Sequence, residues 1–166
     1  AYTNVSAVYT SNNFSIKTTN FNNNNKTWDY IKCGGKTGAY TGTLQTNAAI
    51  DKEISKINIS VDSINSAGLT RVNLYISSSA STSGVTPINI NLTTPTTSVV
   101  IPTSLMGTNK FYTIEFVCSK VSDNGVVQVS GISFLTGGTG GDTPAVTLSS
   151  ISVSSNHRTF NVNDTF

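Results

Sequence analysis

The stretch that decides the fold is Ile54-Ser55-Lys56-Ile57-Asn58-Ile59-Ser60-Val61-Asp62-Ser63-Ile64. Ile57, Ile59 and Val61 fall on one side and Asn58, Ser60 and Asp62 on the other, the period of two that a strand imposes when one face is buried. Residues 71–76 repeat the pattern with Val72, Leu74 and Ile76 inward, and 88–92 repeat it with Ile88, Ile90 and Leu92. Residues 98–101 form a short apolar run ended by Pro102, and 111–118 place Tyr112, Ile114, Phe116 and Cys118 together, opposite Thr113 and Glu115. Toward the N-terminus, residues 27–33 put Ile31 and Cys33 on one face and Trp28 and Tyr30 on the other, and stop at Gly34-Gly35. Residues 39–44 read as the next strand, with Gly42 marking a bulge. Asn124-Gly125 signals a turn that closes either a hairpin or a longer loop between residues 111–120 and 126–134.

Helical periodicity is nearly absent, so the expected class is all-β, an antiparallel β-sandwich. Eight or nine strands over residues 1–135 have the spacing of a sandwich or jelly roll. The composition agrees. Of 166 residues 37% are hydrophobic, enough for one core, and only 11% are charged, the balance being Asn, Thr, Ser and Gly.

A formal net charge of +2 without a Lys/Arg run lacks the field of a nucleic-acid footprint, so no nucleic acid is expected as partner. No run approaches the roughly 18 apolar residues of a spanning helix, so no membrane insertion is expected. The start at Ala1-Tyr2 reads as a mature or excised segment.

Residues 136–145, rich in Gly and Thr, read as a flexible linker. Beyond it, 146–166 alternate again through Leu148, Ile151 and Val153 and then Phe160 and Val162. So short a piece encloses no core, which predicts the N-terminal fragment of a further domain. Leu148-Ser149-Ser150-Ile151-Ser152-Val153 and Arg158-Thr159-Phe160-Asn161-Val162-Asn163-Asp164-Thr165-Phe166 resemble the opening strands of bacterial immunoglobulin-like repeats, with Asn163 where a glycine is usual. That resemblance implies a multidomain extracellular protein with such repeats as spacers. Trp28-Asp29-Tyr30-Ile31-Lys32-Cys33-Gly34-Gly35 through Leu44, with the later Asp123-Asn124-Gly125-Val126-Val127-Gln128-Val129-Ser130-Gly131-Ile132-Ser133-Phe134, resembles jelly-roll modules of secreted proteins from low-GC bacteria, similar in outline to carbohydrate-binding modules. The resemblance implies a secreted or cell-surface bacterial location and neighbouring domains in the same chain.

Catalysis is not expected. No pair among the eight carboxylates is spaced for glycoside hydrolysis, and His157 lies in the tail without a partner. A sugar platform needs aromatic faces with uncharged hydrogen-bonding groups, which nominates Trp28, Tyr30 and Tyr40 for a glycan; alternatively Trp28 packs in the core and Tyr30 covers its rim. No cofactor is required, but a structural calcium, as jelly rolls of this outline often carry, would draw on Asp29, Glu53 and Asp123. Cys33 and Cys118 are either a disulfide or two reduced, buried thiols.

The leading expectation is therefore a non-catalytic carbohydrate-binding accessory module of a larger extracellular protein. The alternatives are a structural or protein-adhesive spacer and an accessory domain of a secreted nuclease.

Overall fold

The structure, a computed structural model, describes residues 4–5, 8–11, 14–23, 29–137, 143–154 and 157–162, with side chains over 15–22 and 29–137. Its strands are β1 (Asn4–Val5), β2 (Val8–Ser11), β3 (Phe14–Thr19), β4 (Phe21–Asn23), β5 (Ile31–Cys33), β6 (Tyr40–Thr46) and β7 (Ile54–Ile64). They continue as β8 (Leu69–Ser77), β9 (Ile88–Ile90), β10 (Thr96–Val100), β11 (Phe111–Cys118), β12 (Val127–Thr136), β13 (Thr143–Ser154) and β14 (His157–Val162).

Two five-stranded antiparallel sheets pack as a sandwich, ordered β4-β5-β12-β7-β10 and β3-β6-β11-β8-β9. Outside these, β1 pairs with β4, β2 with β3, β13 with β12 and β14 with β13. The all-β sandwich expected from the alternation is what the chain adopts. Inward residues of both sheets form one core: Ile57, Ile59 and Val61 from β7, Val72, Leu74 and Ile76 from β8, Tyr112, Ile114 and Phe116 from β11. The sheets are joined through aromatic edges, Phe21 on Phe116 with centroids 5.7 Å apart and Tyr112 on Phe134 at 5.5 Å.

In β12, Val127 and Val129 face inward at odd positions, and Ile132 and Phe134 at even ones. The change of parity is a bulge: Val129 pairs with Val61 and Gly131 with Ser60, leaving Ser130 extra.

Four local expectations are corrected. Asn124-Gly125 does not close a hairpin, because β11 and β12 lie in different sheets; Gly125, at φ +88°, shapes a crossing between them. Of the strand expected over 27–33, Ile31–Cys33 is strand and residues 29–30 are not, while 27–28 lie outside the described residues; Lys32 is buried along with both neighbours. The chain before it forms short strands, so more than eight or nine elements precede residue 137.

Gly42 is not a bulge, since β6 and β11 pair without a register shift. It serves close approach instead: a β-carbon there would stand 2.5 Å from Cys33 Sγ and 2.9 Å from Phe21 Cε2, both on the opposite sheet. Gly42→Ala is therefore expected to destabilise by about 1–3 kcal/mol through overpacking, seen as a lower urea midpoint. An unchanged midpoint would mean that the sheets do not meet here.

Of the stretch 136–145 expected as a linker, residues 138–142 lie outside the described residues.

Candidate functional site

Alternation places one side of β3, β6, β11, β8 and β9 in the core and turns the other side outward. The pairing register aligns the outward residues into rows. One row runs Lys17, Gln45, Thr113, Tyr75. The next runs Thr19, Thr43, Glu115, Asn73, Asn89, and a third Thr41, Val117, Arg71. Val117 is the one apolar member of these rows, and Phe111, opposite Ser77, adds a half-buried aromatic ring at one end of the face, which is otherwise mostly hydroxyls and amides with a single carboxylate at its middle.

The rows are linked by hydrogen bonds. Asn73 Nδ2 donates to Glu115 Oε1 at 2.9 Å, and the Tyr75 hydroxyl donates to the same oxygen at 3.3 Å. Gln45 Nε2 donates to Thr113 Oγ1 at 2.7 Å and to the Ala80 carbonyl at 2.8 Å, which ties the connection between β8 and β9 to the face as a wall. Asn73 and Thr113, at the centre, are 4% and 6% exposed, whereas Lys17, Arg71 and Asn89 at the margins are exposed. The middle of the face is thus closely packed and its margins are open.

One detail of that centre is unusual. Asn73 turns its NH2 to Glu115, which can only accept, and so its Oδ1 is left buried without a hydrogen-bond partner. A buried, unpaired acceptor costs about 1–3 kcal/mol unless something donates to it. With one Glu115 oxygen engaged and the Tyr75 ring half-buried beside it, the cluster offers acceptors and an aromatic surface to a ligand rich in hydroxyls.

Of the residues nominated by the sequence, the structure describes Tyr30, Tyr40, Asp29, Glu53 and Asp123, none of which is a member of these rows. Trp28 lies outside the described residues. Tyr30 is half-buried just before β5, and Tyr40 opens β6 in the other sheet, its hydroxyl bonded to Thr37 Oγ1; the two tyrosines belong to opposite sheets. Asp29, Glu53 and Asp123 are all exposed and do not converge. Glu53 precedes Ile54, which pairs with Thr136 at the end of β12, and Asp123 lies just before that strand's start, so about 30 Å of strand separates them. Among the described residues no three His, Cys, Asp or Glu side chains gather as a metal site. Cys33 and Cys118 do come together, with sulfurs 4.0 Å apart across the sheets.

The residues of this face, Gln45, Asn73, Tyr75, Thr113 and Glu115, were not singled out as a site by the sequence, although the outward positions of Asn73, Tyr75, Thr113 and Glu115 were legible; Gln45 lies beyond the strand expected over 39–44. A shallow open groove of about 530 Å³ at the end of β7, between Asp62 and Thr93, carries no aromatic side chain.

Compared with known proteins, the chain matches no family model, no curated protein and no solved structure. The fold defines it as a two-sheet antiparallel β-sandwich domain, one outer sheet face of which is largely polar.

Proposed function

We propose that this domain is a non-catalytic carbohydrate-binding module, an accessory to a larger extracellular bacterial protein, that lays a neutral glycan across the outer face of the sheet β3-β6-β11-β8-β9. The observation that carries the reading is the row Thr19, Thr43, Glu115, Asn73, Asn89, polar throughout with the carboxylate at its middle. A sugar hydroxyl donates to the free side of Glu115, threonine hydroxyls accept and donate in turn, and the Tyr75 ring receives a C–H face. A phosphate backbone suits the face poorly, because its centre carries a carboxylate and its cations, Lys17 and Arg71, stand at the margins. The crossing order, with β3, β6, β8, β9 and β11 in one sheet and β4, β5, β7, β10 and β12 in the other, supports a jelly-roll topology.

A glycan array with the wild-type chain, Tyr75→Ala and Trp28→Ala, each checked for folding by circular dichroism, tests the reading. Binding lost in Tyr75→Ala and kept in Trp28→Ala is the expected result. Loss in Trp28→Ala alone would move the site to Trp28. No binding by the folded wild-type chain would leave a structural or protein-adhesive spacer as the working function.

A further inference from the structure

We propose that Cys33 and Cys118 are an oxidation site that closes into a disulfide joining the two sheets. Cys33 ends β5 in one sheet and Cys118 ends β11 in the other, and both are buried, at 0% and 1% exposure. Their sulfurs, 4.0 Å apart, need an approach of about 2 Å to reach bonding distance. Packed sheets normally stand about 10 Å apart, whereas the Cα atoms of a bridged pair stand about 4–7 Å apart, so a bridge between sheets needs them to close in locally. Here two glycines bring them together. A β-carbon at Gly42 would stand 3.2 Å from Cys33 Cβ, and one at Gly34 would stand 3.0 Å from Cys118 Cβ, so each cysteine lies against bare backbone of the facing element.

The oxidant is a small-molecule or protein disulfide of the kind an oxidising compartment supplies. Its access comes during folding, before the backbone bonds from Gly125 to Gly34 and from Val126 to Cys33, 2.9 and 2.7 Å long, cover the pair. The Cys118 thiolate attacks one oxidant sulfur, forming a mixed disulfide and expelling the other sulfur as a thiolate. Cys33 then gives up its proton and attacks the Cys118 sulfur, forming the Cys33–Cys118 bond and releasing the second oxidant thiolate. Two protein thiols lose two protons and two electrons, and one oxidant disulfide becomes two thiols. The same two steps balance with the two cysteines exchanged.

The experiment is to refold the wild-type chain in a glutathione buffer poised as in an oxidising compartment, then to count thiols in denaturant and map peptides without reduction. Loss of both thiols, a monomer lighter by two hydrogens, a peptide linking residues 33 and 118, and a melting temperature that drops by roughly 5–15 °C on adding reductant are expected. Cys118→Ala should show no response to reductant; if that variant does not fold, the wild-type thiol count decides by itself. Two titratable thiols after oxidative refolding, or a bridge between two chains, would overturn the proposal.

Discussion

Phe116→Ala is expected to lower the stability of this domain by about 3–5 kcal/mol, the upper part of the range for a truncated core residue. Phe116 is fully buried near the middle of β11 and sets its ring edge-on to Phe21 of β4, at 88° between planes, across the gap between the sheets. Its neighbours along the sheet are Gly42 on β6 and Val72 on β8. A glycine has no side chain to slide into the vacated space and a valine has no reach, so the cavity stays largely open and its full cost is felt. Urea unfolding checks this. The midpoint should fall steeply while the slope is kept, since the surface exposed on unfolding barely changes. A loss of less than about 1 kcal/mol would mean that the sheets are not held together through this aromatic pair.

The elements legible in the sequence were those whose two faces differ. Over residues 57–61, 72–76 and 112–118 every second residue is apolar or aromatic, because one face meets the core and the other does not, and the burial pattern repeats the sequence pattern except at the outward Asn73 and Thr113, which are buried too. The bulge in β12 was also written there, as the break in Val127-Gln128-Val129-Ser130-Gly131-Ile132-Ser133-Phe134 where the apolar positions change parity. The Asn124-Gly125 signal misleads because turn chemistry fixes only the local chain direction; which sheet the next strand joins is decided by packing. The site was hidden for a related reason. Thr43 and Gln45, Asn73 and Tyr75, Thr113 and Glu115 each alternate with apolar neighbours, and each pair alone reads as a solvated strand face. Only the order β6-β11-β8 sets the three pairs side by side, and only then does Asn73 become buried by residues more than forty positions away.

Glu115→Ala is expected to weaken glycan binding by about 10- to 100-fold, and its partner Glu115→Gln shows why the loss belongs to the ligand and not to the fold. Hydrogen bonds to a charged group contribute about 1.5–3 kcal/mol, against about 0.5–1.5 for neutral pairs, and each 1.4 kcal/mol is a factor of ten in affinity. Alanine removes the whole acceptor, and it also strips Asn73 Nδ2 and the Tyr75 hydroxyl of their shared partner, so the domain itself should lose some stability. Glutamine keeps an oxygen for both donors and gives up only the charge. Its melting temperature should therefore match the wild type, while its affinity falls by about tenfold, the difference between a charged and a neutral acceptor. Titration calorimetry with a glycan identified on the array separates the two effects. A glutamine variant that binds as tightly as the wild type would place the sugar away from the centre of this face. One that fails to bind while melting normally would fix Glu115 as the group that reads the sugar hydroxyls.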